Sequence, residues 1–205
     1  YVDLSPGLDF ETRLFYKADA AKLLRAELAR PGYVCKPIML GANTDPYQPV
    51  EKKFQLTRRC LEILAENNWP VVVQTKSPLA LRDLDIFQKG QDFEVGFSLA
   101  TADEKIRRLF EPVAPSIEER IKALEKLHQA GIRTYAMIAP LLPGAEYLPE
   151  MLSGRVDRVI IDRMNYHYAD WIYCRYHLEE KMTADFFRRA RRMIEEKLTK
   201  LGILT

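Results

Sequence analysis

Cysteine is scarce in this 205-residue chain, and the three present, Cys35, Cys60 and Cys174, are widely scattered. No CxxC pair occurs, which argues against a zinc or dithiol redox site, and the odd count at wide spacing does not suit a disulfide framework. Glycine-rich nucleotide loops are missing too. Neither GxGxxG nor GxxxxGK[ST] occurs, which removes the dinucleotide fingerprint and the P-loop. GxSxG and HExxH are absent, and with them the usual marks of a serine hydrolase and a zinc protease. No apolar run approaches the roughly 20 residues that a membrane span needs, so no membrane partner is expected. Charge of one sign is also lacking: 31 Lys and Arg stand against 29 Asp and Glu, a net of +2. Bulk electrostatics therefore single out no nucleic-acid partner. Residues 1–10 show no basic segment followed by an apolar stretch, so they do not read as an export signal, and cytoplasm is the expected location.

What is present is an ordinary globular composition, 47% hydrophobic and 29% charged, enough for one domain over residues 1–205. Strand and helix patterns alternate along it. Residues 18–30, 51–67, 78–88, 102–110, 116–130 and 183–201 carry helical spacing. Residues 36–42, 70–75, 93–99, 132–139 and 157–162 are short apolar runs. Ser116 with Glu119 forms a capping-box pattern, and Gly131 suits the helix end. The alternation predicts βαβ units and a parallel sheet. A doubly wound open sheet and a partial TIM-type barrel both fit it.

In either architecture ligands bind at the C-terminal strand ends. Those ends read GANTDPYQP at 41–49, TKS at 75–77, Phe97 to Thr101, Ile138 to Gly144, and Asp162 to His167. Asp45 suits an ammonium, Lys76 a carboxylate and Ser98 a ribose hydroxyl. Each strand end alone also reads as ordinary turn chemistry. A conventional enzyme with Asp45 or Asp162 as general base is a further alternative, with no paired carboxylate to support it. No metal-ligating set is found.

The segments at residues 3–11, GANTDPYQP at 41–49, TKS at 75–77 with LRDLD at 81–85, and FEP at 110–112 with Pro115 and Arg120 resemble the spore-photoproduct-lyase-like branch of the radical SAM proteins, often labelled DNA repair photolyases. The likeness runs to about Gly144; residues 147–205 are not matched. The resemblance implies an α/β fold, a partial (β/α)6 TIM-type barrel. It implies S-adenosylmethionine and a [4Fe–4S] cluster on a CxxxCxxC loop, generation of a 5′-deoxyadenosyl radical, and a flavodoxin or ferredoxin as reductant. Carried over by position, Asn43, Thr44 and Asp45 would meet the methionyl amino group. Lys76 and Ser77 would lie by the methionine moiety, Ser98 by the ribose, and Ile138 and Ala139 beside the adenine. Arg120 would reach the carboxylate. The hydrogen-abstracting partner in the substrate is not indicated, so no catalytic residue is named.

Two departures matter. The CxxxCxxC motif is absent, and the resemblance places it shortly before the segment that opens at Tyr1. The expectation is that the first strand and cluster loop are missing and that the chain by itself binds no cluster. The hydrogen-donating cysteine of spore photoproduct lyases is also absent beside Asn43, which speaks against repair of the spore thymine dimer. The substrate, a nucleic acid being one option, is to be sought among Asn165, Tyr166, His167, Tyr168, Trp171 and Tyr173, which serve either as a stacking surface or as core. The alternative function is a non-catalytic barrel that binds a nucleotide or nucleic acid, using Arg188, Arg189, Arg191 and Arg192 of the last helix.

Overall fold

The computed structural model describes residues 14–163 and 167–205. Its strands are the apolar runs the sequence marks, trimmed at their ends: β1 (Ile38–Leu40), β2 (Val71–Thr75), β3 (Phe93–Ser98), β4 (Arg133–Ile138) and β5 (Arg158–Ile161). All neighbours are parallel and the order is sequential, β1-β2-β3-β4-β5. Sequential order settles the choice left open by periodicity. A doubly wound sheet reverses direction at a switch point, which splits its helices between two faces. Here every crossover steps the same way, so the right-handed rule puts the helices on one face, as in a barrel wall. At the far edge, Leu204 makes an isolated parallel bridge to Arg158, with the Val159 amide donating to the Leu204 carbonyl.

The two faces of the sheet differ in chemistry. Ile38, Leu40, Val71, Val73, Val95, Phe97, Ala136, Ile138 and Val159 pack into the main core with Leu61, Leu64, Phe87, Leu124, Leu127, Ile194 and Leu198 of the helices. The alternate positions Gln74, Glu94, Ser98, Tyr135 and Arg158 lie on the opposite, inner face, because strand side chains alternate. Gly96 lies among them. A Cβ there would sit 2.2 Å from the Tyr135 ring, so glycine is what lets that ring lie across the inner face. Arg158 pairs with Glu94 at 2.6 and 2.7 Å and stacks over Tyr135 at 4.8 Å, filling the inner face towards the N-terminal strand ends.

The helices are α1 (Ala20–Leu28), α2 (Glu51–Phe54), α3 (Leu56–Glu66), α4 (Leu84–Phe87), α5 (Glu104–Phe110), α6 (Ile117–Gln129), α7 (Leu148–Leu152), α8 (Asp170–Arg175) and α9 (Ala184–Lys200). The single helix expected over 51–67 is two. Gln55 takes a left-handed φ of 49°, and the buried Glu51 carboxylate turns back to accept from the Leu56 and Arg58 amides, capping α3. The helix expected over 78–88 opens as a 3-10 turn, Pro78–Asp83, before α4. The capping box at Ser116 and Glu119 forms as expected. In α9, Phe186, Ala190, Ile194 and Leu198 face inward, whereas Met193 is exposed. The short helices α7 and α8 have no counterpart in the sequence reading. No helix among the described residues is long and apolar enough to cross a membrane.

Candidate functional site

The C-terminal ends of β2 and β3 carry a connected set of polar groups. It begins just past β1, where Gly41 turns at a φ of 108° with its α-carbon so near β2 that a Cβ would stand 2.1 Å from the Gln74 carbonyl oxygen. Only glycine tolerates both conditions. The turn sends the NTDPYQP loop across the end of β2. Asp45 pins it there: one carboxylate oxygen accepts from the Tyr47 amide at 2.8 Å and the Thr75 hydroxyl at 2.7 Å, the other from the Lys76 amide at 2.7 Å. Both oxygens of Asp45 therefore serve loop structure, Oδ1 accepting twice and Oδ2 once. Asn43 and Thr44, two residues and one residue earlier, are exposed on the same loop.

Ser77 is also structural. Its hydroxyl caps the following 3-10 turn by accepting from the Leu79 amide, and its own amide donates to Thr75 Oγ1. Lys76 is different. Its amide is tied to Asp45, but its side chain is 40% exposed and reaches Glu111 Oε1 at 2.8 Å. Ser98 ends β3 on the inner face. Its hydroxyl accepts from Gln74 Nε2 at 3.1 Å, which leaves its own proton free to donate. Its carbonyl accepts from Arg120 Nη1 at 3.0 Å.

Arg120 does not reach a ligand. Its side chain is 0% exposed, and it donates to the Pro115 carbonyl at 2.9 Å as well as to Ser98. Its Nη2 stands 2.7 Å from Glu111 Oε2, an ion pair too bent to count as a hydrogen bond. The expectation that Arg120 meets a carboxylate is thus corrected. A fully desolvated guanidinium supports the strand end from behind, and the accessible cation is Lys76. Glu111, which ends α5, joins the two. Burial pushes its carboxyl up, but Lys76 and Arg120 outweigh this and hold it below the ordinary glutamate range.

On β4 the strand parity corrects a further expectation. Ile138 is 0% exposed and packs with the helices, so its side chain cannot flank a ring at the inner face. Met137 pairs with Ser98 in register and is the inner-facing neighbour. Ala139 is partly exposed just beyond the strand. The peptide bond from Ala139 to Pro140 is cis.

The aromatic segment expected at 165–177 divides in two. Tyr173 is buried against Ala100 and Leu142, just past β3 and β4, and meets Phe110 edge-on at 4.9 Å. Burial, with a smaller push from Asp170, raises its phenol to about 12. Docking by Tyr173 brings α8 to the same end of the sheet as Lys76 and Ser98. The opposite side of α8 faces outward, with Trp171 59% exposed and His167 and Arg175 each four residues from it. Asn165, Tyr166 and the side chain of Tyr168 lie outside the described residues, as does the segment at 3–11.

Residues 11–150 match the Radical SAM superfamily. The chain belongs to the radical SAM superfamily. An uncharacterized protein of Mycobacterium tuberculosis (strain ATCC 25618 / H37Rv) is 33% identical over 160 residues, 75% of this chain and 47% of the relative. An uncharacterized protein of Methanocaldococcus jannaschii is 36% identical over 117 residues, 57% of this chain and 45% of the relative. This radical SAM chain spans about half the length of the curated relatives it matches. Spore photoproduct lyase complexed with dinucleoside spore photoproduct superposes with a TM-score of 0.64 at 14% identity, over 92% of this chain and 65% of that one. SuiB of Streptococcus suis bound to S-adenosylmethionine does so with a TM-score of 0.57 at 16% identity, over 90% and 39%. At such identities the likeness is one of fold: an α/β partial barrel of the radical SAM kind.

The superfamily takes its name from S-adenosylmethionine, and the residues at the rim fit that molecule. Lys76 offers an accessible ammonium, Ser98 a free hydroxyl proton, and Met137 with Ala139 an apolar strip on the inner side of β4. A [4Fe–4S] cluster does not fit the residues present. Cys35 and Cys174 are exposed, Cys60 is half-buried on α3, and no group of three or more His, Cys, Asp or Glu placed to hold a metal occurs among the described residues.

Proposed function

We propose that this chain is the S-adenosylmethionine-binding barrel of a radical SAM enzyme. The observation that carries the proposal is Lys76 held beside Ser98 at the C-terminal ends of adjacent strands, one offering a cation and the other a hydroxyl donor. In it, Lys76 takes the carboxylate, Ser98 the ribose, and Met137 and Ala139 the adenine. Asn43 and Thr44 lie on the exposed loop nearest the amino group. Asp45 and Ser77 hold that loop and the end of β2 in place, and Arg120 supports Ser98. In this superfamily the bound cofactors supply a 5′-deoxyadenosyl radical, fed by a reductant such as flavodoxin or ferredoxin. A cluster would need cysteines that residues 1–205 do not supply, since CxxxCxxC occurs nowhere in them. Titration calorimetry of the full-length protein with S-adenosylmethionine tests the assignment. Lys76→Met is expected to weaken binding about tenfold or more, the scale of one lost charge-assisted contact. Undetectable binding by the parent protein would overturn it.

The substrate class is proposed from α8. Trp171 is solvent-exposed, with Arg175 four residues further along the same helix, and such a pair suits stacking on a base with a phosphate nearby. A nucleic-acid substrate agrees with the dinucleoside ligand of the spore photoproduct lyase structure. The thymine-dimer reaction itself is not assigned, because no cysteine stands beside Asn43. Of the chain's two tryptophans, Trp69 is buried and Trp171 exposed, so fluorescence quenching by single-stranded DNA or RNA reports Trp171. Salt-sensitive quenching lost in Trp171→Leu is expected; unchanged fluorescence even at low salt would remove nucleic acid from consideration. The same titration serves the non-catalytic alternative. α9 gives that reading little support, because Arg188 and Arg191 of its basic cluster are paired to Asp185 and Glu195.

A further inference from the structure

We infer that Glu111 is a positioning residue for ligand binding: it fastens the accessible Lys76 to the buried Arg120, so that a ligand carboxylate meets an ammonium already fixed in place. The inference rests on the proposed binding of S-adenosylmethionine at this rim and adds to it a residue that touches no ligand. Three observations carry it. Glu111 is itself nearly buried, 9% exposed, with one oxygen 2.8 Å from Lys76 Nζ and the other 2.7 Å from Arg120 Nη2. Arg120 is fully buried and donates to the Pro115 and Ser98 carbonyls at 2.9 and 3.0 Å. The chain of contacts therefore runs from one rim group, Ser98, through Arg120 and Glu111 to the other, Lys76. Glu111 also follows directly on Phe110, which packs on Tyr173, so its backbone is set by the contact that seats α8.

The charges add to one net positive. Arg120 and Lys76 contribute two and Glu111 removes one. A lysine ammonium has three donors, and Glu111 takes one, so others are left for a ligand. Without Glu111, Lys76 is a flexible four-carbon stem at the mouth of the site, and a ligand has to order it on binding. A purely electrostatic role predicts the opposite sign. Deleting a carboxylate beside the cation would make the rim more positive and tighten its hold on an anion. The direction of the change therefore separates positioning from simple charge.

The test compares two ligands on the full-length protein. S-adenosylhomocysteine keeps the amino-acid end, whereas 5′-methylthioadenosine lacks it. Glu111→Gln is expected to weaken the first about tenfold, the order expected for fixing one long side chain, and to leave the second nearly unchanged. Glu111→Asp should recover part of the loss. In a Lys76→Met background the Glu111→Gln change should have no further effect on the ratio. Because Glu111→Gln leaves Arg120 without its charge partner, it risks unfolding. The double variant Glu111→Leu/Arg120→Met removes the buried pair together; both ligands lose the support behind Ser98, and S-adenosylhomocysteine should lose more than 5′-methylthioadenosine because it alone also needs Lys76 in place. Equal weakening of both ligands, no change, or tighter S-adenosylhomocysteine binding in these variants would overturn the inference. A parent protein that binds neither ligand would instead overturn the proposed cofactor.

Discussion

The phenol of Tyr47 donates to the buried carboxylate of Asp83 at 3.0 Å, which joins the NTDPYQP loop to the RDLD turn. The same carboxylate accepts from Arg58 at 3.0 Å and from Arg82 at 2.7 and 2.8 Å. Arg82 goes on to Glu51 at 2.9 Å and Arg58 to Asp85 at 2.9 Å. Two motifs some forty residues apart thus form one network, and it fixes the loop that Asp45 then pins to β2. Asp83→Asn should destabilise the fold by about 3–5 kcal/mol, because it leaves two arginines facing a neutral group in a buried place. Tyr47→Phe should cost about 1–2 kcal/mol, a buried hydrogen bond. Urea denaturation gives both; a change below about 1 kcal/mol for Asp83→Asn would show the network to be incidental.

Gly96→Ala puts a methyl group into the Tyr135 ring, and the ring is itself held between Arg158 and β2. Overpacking of this kind destabilises by about 1–3 kcal/mol. Tyr135→Ala should relieve that specific loss, so the two changes should be strongly non-additive in a double-mutant cycle. Additive effects would mean that the close approach of ring and backbone is not what glycine provides.

Titration should reveal both ends of the pH range. Glu111 has a lowered carboxyl, so its contribution is present above the unfolded value near 4.3 and is lost as pH falls through its folded value. A variant without Glu111 should show a shallower acid limb. Tyr135 is raised to about 12, first by burial and then by Glu94. Its stabilising protonation is complete below the unfolded value near 10 and disappears as pH rises towards 12. Tyr135→Phe should flatten stability above about pH 10, measured by thermal melts across pH.

The cluster offers a direct metal measurement. Anaerobic reconstitution of residues 1–205 should yield no stoichiometric iron and sulfide, since their cysteines are three and scattered. A full-length protein carrying CxxxCxxC should yield four of each per chain. A stoichiometric cluster in residues 1–205 would contradict this.

The strands were readable because buried parallel strands are continuous apolar runs. That same continuity hid their parity. In IRTYAMIA nothing in composition tells Met137 from Ile138, and the answer came only from the register with Ser98. The break at Gln55 was invisible because glutamine is a good helix former, and the cause is the Glu51 side chain turning forward to cap the next helix. The resemblance singles out Arg120 but not its burial, which depends on Glu111, Ser98 and Pro115 converging from other elements. Glu111 was in plain view within the FEP segment, nine residues before Arg120, but a lone glutamate at a helix end signals nothing until its two cations are seen. The loop at 41–49 was correctly placed at the rim, although Asp45 turned out to serve the loop itself.

The most direct test of the whole account is a crystal structure of the full-length protein with S-adenosylmethionine. The account predicts the ligand carboxylate within hydrogen-bonding distance of Lys76 Nζ, with Lys76 still on Glu111, the ribose at Ser98 and the adenine against Met137 and Ala139. A ligand bound away from the ends of β2 and β3, or a Lys76 that makes no contact with it, would contradict the account.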